Sequence, residues 1–224
     1  MNDMQLSELH KKLQSHLDAQ TKNWKSFIYA QDKGFYQGFD EIQIDGWRPT
    51  EKRFINYDIE NYLNKNKTVL DIGCNCGFFT LHSSKYVKHI DGVEINPYLV
   101  DIANDVKDFL KIQNAVFHNS SFETFTTDKK YDIVYSFAND STIDKNTTFN
   151  FSEYVNKILS LLENNGLLIF ESQAADNMPP EKFTPKFNFL SSKFKILENR
   201  LVHSEYPVNV PQRIFLILQK ITNP

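Results

Sequence analysis

Residues 69–79 read Val69-Leu70-Asp71-Ile72-Gly73-Cys74-Asn75-Cys76-Gly77-Phe78-Phe79: an apolar run, a turn of small residues, and a second apolar run. This is a strand entering a tight turn that opens a helix. Glycine in such a turn supplies backbone angles that other residues resist, and it lets the main chain approach a ligand closely. A nucleotide-like ligand is expected to sit there.

Outward from this turn the pattern alternates. After the strand at 68–72, helices are expected over 78–86, 98–110 and 151–163, and strands over 89–95, 115–118, 131–137 and 167–171. Strict β and α alternation implies a parallel sheet covered by helices on both faces. Two late strand-like runs, 194–204 and 213–219, are joined by a Pro-containing turn and imply an antiparallel hairpin at one edge. The expected fold is therefore α/β and Rossmann-like, with a mostly parallel seven-stranded sheet. Upstream, Leu6, Leu9, Leu13, Leu17, Trp24, Phe27 and Ile28 recur at mostly three- and four-residue steps, the spacing of an amphipathic helix over 6–29. A Gly-containing aromatic link (34–46) and the turn Trp47-Arg48-Pro49-Thr50 lead to a second helix over 51–63, with Thr50 as its cap. Residues 1–63 form an N-terminal helical extension or lid, and 64–224 the main domain.

The 224 residues suffice for one hydrophobic core and leave little for a second domain. With 41% hydrophobic and 24% charged residues the chain has the balance of a globular protein. Its net charge of -3 creates no global positive field, which disfavours non-specific nucleic-acid binding. No basic segment followed by an apolar core opens the chain, and no stretch approaches bilayer length, so a cytoplasmic location is expected. Cys74 and Cys76, one residue apart, are poorly placed for a mutual disulfide, and they lack the further ligands of a structural zinc. They read as small residues filling a tight turn.

Two cofactor templates compete for the turn. A dinucleotide fingerprint laid from Gly73 would need glycine where Asn75 and Phe78 stand, so it fails at two of three positions. The pattern acidic-x-G-x-G-x-G matches Asp71, Gly73 and Gly77 and departs only at Asn75, a residue that tolerates left-handed backbone angles. In the second strand, Glu94 follows Gly77 by seventeen residues. A carboxylate there can accept hydrogen bonds from both ribose hydroxyls; the competing reading is a solvated charge at a strand end.

On these residues the chain resembles class I S-adenosylmethionine (SAM) methyltransferases over roughly 68–173. The resemblance implies Asp71 near the methionine ammonium group, and the backbone of Gly73, Cys74, Asn75 and Gly77 beneath ribose and methionine. It also implies Glu94, Ile95 and Asn96 around the ribose and adenine, with Ser121 and Phe122 against the adenine unless they merely cap a helix. Phe137 and Arg48 complete the cofactor-binding set. A further likeness, on Asp45-Gly46-Trp47-Arg48-Pro49-Thr50-Glu51-Lys52-Arg53 and Val210-Pro211-Gln212-Arg213-Ile214-Phe215, is to methyltransferases of bacterial surface-polysaccharide gene clusters. It implies a small-molecule or glycan acceptor, with O-methylation of a sugar, sugar nucleotide or polysaccharide end. RNA methylation, small-molecule N-methylation and polyamine synthesis remain as alternatives on the same fold.

The protein's task with an activated sulfonium methyl is to hold a nucleophile in line and exclude water. A sugar hydroxyl calls for a general base, and Asp140, Glu171 and His203 are the candidates, His203 equally readable as an ordinary strand histidine. A phosphate, carboxylate or amine acceptor would need little proton transfer. Arg48 and Arg53 could bind an anionic acceptor or the cofactor carboxylate, or form surface ion pairs. Tyr29, Phe35, Tyr36, Phe39 and Trp47 could form a lid or pack the extension onto the core. Ala138-Asn139-Asp140-Ser141 is not the signature of nucleobase amino methyltransferases, and Asn96-Pro97-Tyr98 follows the wrong strand for it. Asp140 with Asp176-Asn177 only loosely imitates a magnesium site, so no metal is expected.

Overall fold

The computed structural model describes residues 3–29, 34–141, 146–174 and 180–221. Helix α1 (Asp3–Asn23) buries Leu6, Leu9 and Leu13 along the stripe their spacing sets. It stops earlier than its periodicity suggests, with Trp24 N–H to Gln20 C=O as its last bond. Trp24, Phe27 and Tyr29 then line a cleft beyond the helix end.

The segment read as a link forms a short parallel ribbon of β1 (Phe35–Gly38) and β2 (Gly46–Pro49), with Gln37 opposite Arg48. Four residues per strand are too few to show a period of two. Helix α2 (Thr50–Tyr57) is shorter than expected because Asp58 adopts a left-handed conformation and a 3-10 turn follows at Glu60–Tyr62. The expected Thr50 cap is corrected: Pro49 holds the cap position, and Thr50 is buried inside the helix.

The main sheet contains β3 (Thr68–Ile72), β4 (His89–Glu94), β5 (Ala115–Asn119), β6 (Tyr131–Phe137), β7 (Leu162–Glu171), β8 (Phe194–His203) and β9 (Gln212–Lys220). Its order is β5-β4-β3-β6-β7-β9-β8. Pairings among β3 to β7 are parallel, and β9 runs antiparallel to both β7 and β8. The Rossmann-like α/β reading holds, seven strands and antiparallel edge included.

Alternate residues of each strand feed opposite cores, as the pleat requires. Val69, Ile90, Ile133, Ile169 and Ile217 pack under α1, α2, α3 (Phe78–Ser83) and α4 (Pro97–Phe109). Leu70, Val134, Leu168, Phe170 and Leu216 pack under α5 (Phe151–Leu161) and α6 (Thr184–Lys193). Helix α6 escaped the sequence reading because only Leu190 along it is buried, leaving no apolar stripe. The core that includes Leu6, Leu9 and Leu13 is continuous with the central sheet.

The chain leaves β3, runs out through β4 to β5, and returns to β6 on the other side of β3. Such a reversal opens a crevice at the carboxyl ends of the two central strands, where ligands bind in open α/β sheets.

Candidate functional site

A cavity of about 340 Å³ occupies that crevice. Its floor on one side is the turn between β3 and α3. Gly73 and Gly77 take φ of 64° and 70°, the left-handed region. A Cβ on Gly73 would come within 2.8 Å of the Asn139 side chain, and one on Gly77 within 2.5 Å of the Phe117 ring. Asn75 is also left-handed, with φ 56°, and its side-chain oxygen accepts the Cys76 N–H at 2.9 Å. Buried Gln37, from β1, splints the turn: its Nε2 donates to the Cys74 carbonyl at 3.3 Å, and its Oε1 accepts the Phe78 N–H at 3.1 Å. Burial raises the thiols of Cys74 and Cys76 far above their usual range, so both stay neutral.

Two carboxylates face this floor. Glu94, at the end of β4, accepts the N–H groups of Asn75 at 3.0 Å and Asn96 at 2.9 Å. Two backbone amides thus fix its orientation. Asp71 is buried, and its Oδ2 accepts the Thr80 hydroxyl at 2.6 Å. Burial, opposed by the Thr80 hydrogen bond and by Arg53, pushes its carboxyl up to about 7. Among the described residues no cationic side chain pairs with it.

Ile95, Asn96, Ser121 and Phe122 line the same end. Asn96 also caps α4 through Tyr98 N–H at 3.1 Å. Ser121 Oγ bonds Thr124 Oγ1 at 2.8 Å, so its hydroxyl serves a turn while its residue lines the cavity. Phe122 stacks edge-on against Tyr154 at 5.2 Å. Phe137 packs between Tyr57 and Phe79 at the cavity wall.

The other end is lined by three arginines from three elements: Arg48 of β2, Arg53 of α2 and Arg213 of β9. Arg48 and Glu171 form a bidentate pair, Nη1 to Oε2 at 3.1 Å and Nη2 to Oε1 at 2.6 Å, with both side chains buried. Arg48 lines the cavity with its fork turned onto Glu171, and its burial corrects the reading as a surface ion pair. Pairing keeps Arg48 raised despite complete desolvation. Arg53 donates Nε to Tyr57 Oη at 3.2 Å and lies 5.0 Å from the Phe79 ring centroid. Sequence patterning assigns Arg213 no role. The signal available is a charge abutting the apolar run Ile214-Phe215-Leu216-Ile217-Leu218. Gln37 left no such signal.

None of the three base candidates is brought to the cavity. Glu171 stands behind the arginines. Although burial opposes ionisation, Arg48 and Arg213 hold its carboxyl down to about 2, too acidic to take a proton from a hydroxyl. Asp140 is buried against Lys186 rather than facing the crevice. His203 is exposed on β8, its backbone bonded to Asn56. Glu171 and His203 end β7 and β8 and Asp140 follows β6, but side-chain direction there is decided by distant partners. Asp176 and Asn177 lie outside the described residues. No cluster of potential metal ligands occurs among the described residues, and no described helix is long and apolar enough to cross a membrane.

The family model described as Methyltransferase domain matches residues 63–207. No curated protein matches the chain. Among solved structures, a Listeria monocytogenes protein described as a class I SAM-dependent methyltransferase aligns at TM-score 0.62 and 16% identity, covering 98% of this chain and 71% of its own. The N-methyltransferase NodS of Bradyrhizobium japonicum, in complex with S-adenosyl-L-homocysteine (SAH), aligns at TM-score 0.59 and 12% identity over 76% of this chain and 85% of its own. An rRNA methylase of Streptococcus thermophilus aligns at TM-score 0.55 and 16% identity, over 78% and 98%. At these identities the neighbours speak for the fold; the family match spans more than half of the chain. By that match the chain belongs to the methyltransferase-domain family and is a class I enzyme whose cofactor is S-adenosylmethionine.

Proposed function

We propose that the protein O-methylates a sugar, sugar nucleotide or polysaccharide end held in the arginine-lined half of the cavity. The observation that carries this reading is the continuity of one cavity from Glu94 and Asp71 to a chamber walled by Trp24, Phe27, Tyr36 and Tyr206. Aromatic rings with polar edges suit a sugar ring lying flat between them.

In this reading Glu94 accepts both ribose hydroxyls, and the turn from Gly73 to Gly77 lies beneath ribose and methionine. Asp71 receives the ammonium group, and the free fork of Arg53 receives the carboxylate. Ile95, Asn96, Ser121 and Phe122 enclose the adenine. The cofactor supplies an activated methyl; the chain binds, orients and excludes water. Residues 1–63 act as the cover of the acceptor chamber, contributing Trp24, Phe27, Tyr36, Arg48 and Arg53 to its lining.

The test is calorimetric titration with SAH, followed by a labelled-methyl assay across sugar nucleotides, lipid-linked glycans and RNA. Glu94→Ala removes two charge-assisted hydrogen bonds and is expected to weaken SAH binding by about 30- to 100-fold, roughly 2–3 kcal/mol. Undiminished SAH affinity in that variant defeats the cofactor geometry. Transfer to RNA alone defeats the acceptor class.

A further inference from the structure

Arg48 and Arg213 border the acceptor half and Arg53 stands between it and the cofactor end, and Glu171 alone of the described carboxylates is ion-paired with any of the three. Both of its oxygens are taken by Arg48. Arg213 stands 4.0 Å from it and donates instead to neutral oxygens: Ser204 Oγ at 3.0 Å, the Ser172 carbonyl at 3.1 Å and the Tyr206 carbonyl at 2.8 Å. A guanidinium has five N–H donors. Three are used, so about two remain on a side chain that is buried yet borders the cavity. Burial pulls Arg213 below its usual range and Glu171 only partly opposes this. If Asp71 is matched by the cofactor ammonium and Arg53 by the cofactor carboxylate, Arg48 and Arg213 still share the single carboxylate of Glu171, whose oxygens both bond Arg48.

Among the described residues that line the same half, only the phenols of Tyr29, Tyr36 and Tyr206 offer a titratable oxygen to a hydroxyl acceptor, and none is a carboxylate or an imidazole. Among the described lining residues there is no histidine or lysine, and the two carboxylates, Asp71 and Glu94, lie at the cofactor end. An acceptor that is already an anion needs neither.

We propose that Arg213 anchors an acidic group of the acceptor, a carboxylate or a phosphate, and that an oxygen of that group takes the methyl. This rests on the methyltransferase reading above and narrows its acceptor to acidic or phosphorylated sugars. The acceptor oxygen forms a bond to the methyl carbon as the carbon–sulfur bond breaks, and that electron pair stays on sulfur. The products are a methyl ester and SAH. No proton moves, and the negative charge of the acceptor cancels the positive charge of the sulfonium.

Arginine Nε–Hε NMR signals of the full chain saturated with SAH are followed while sodium phosphate, and separately sodium acetate, is added at constant ionic strength. The Arg213 signal, identified by its loss in Arg213→Lys, is expected to shift saturably with at least one anion. That anion is expected to bind Arg213→Lys at least tenfold more weakly. No saturable shift in the wild-type protein, or equal affinity in the variant, overturns the proposal. SAH binding by Arg213→Lys shows that its fold is intact. Failure of SAH to bind the wild-type protein would instead sink the methyltransferase reading. A second arm offers labelled SAM with glucuronate, glucose 6-phosphate or glucose. Label in glucuronate that mild alkali releases as methanol marks a carboxylate acceptor, and label in glucose 6-phosphate that makes its phosphate resistant to alkaline phosphatase marks a phosphate; alkali-stable label on a ring hydroxyl of either overturns the proposal. Label in glucose, or in none of the three, overturns the proposal.

Discussion

The two halves of the cavity are held by different means. The cofactor half rests on backbone: left-handed angles at Gly73, Asn75 and Gly77, and two amides clasping Glu94. Its parts lie close together in the chain. The acceptor half rests on side-chain charge, and its central pair, Arg48 and Glu171, is 123 positions apart. A local backbone device is set as soon as β3 and β4 pair. A buried charge network exists only when β2, β7 and β9 are all in place, so it ties the assembly of the whole domain to the shape of the acceptor chamber.

Breaking the distant half should have the largest effect. Glu171→Gln leaves Arg48 and Arg213 buried without their shared carboxylate, and removing one partner of a buried pair costs about 3–5 kcal/mol. Urea unfolding should show a loss of that order. A loss below about 1 kcal/mol would mean that the network is not what joins the extension to the sheet.

Acidity sharpens the comparison from the cofactor side. Because Asp71 is raised to about 7 without ligand, it is mostly protonated below that pH, whereas the cofactor ammonium favours its anion. SAH affinity should therefore fall as pH drops from 7.5 to 6, by up to about tenfold per unit, with proton release on binding. Asp71→Asn should flatten this dependence in calorimetry at several pH values. An unchanged slope in that variant assigns the titration to another group.

The smallest effect is expected where the halves meet. Gln37 reaches from the ribbon of the extension to the cofactor turn, and Gln37→Leu removes both of its bonds to that turn. A loss near 1 kcal/mol, about fivefold in SAH affinity, is expected, with thermal stability nearly kept. Equal loss in both measurements would make Gln37 a packing residue and not a splint.

Much of the central fold was legible because it is written in periodicity. The strands from Thr68 to Phe137 fall within a residue of their expected bounds, since each is a short apolar run between breakers. Asp71, Gly73 and Glu94 line one cavity, and Gly77 shapes the same turn, because strand ends and turn glycines carry their geometry locally. Asp140, Glu171 and His203 could not be sorted by the same logic. A carboxylate at a strand end faces a ligand or an arginine according to what packs against it, and Arg48 arrives from a ribbon too short to announce itself.

The sequence by itself determined the α/β order, the turn at Gly73 and the family, because alternating hydrophobic runs and a left-handed turn are properties of neighbouring residues. Only the tertiary structure decided that Arg48 belongs to Glu171 and that Arg213 and Arg53 border the cavity. Burial makes each guanidinium depend on which carboxylate the fold brings within reach, and no local pattern records that distance.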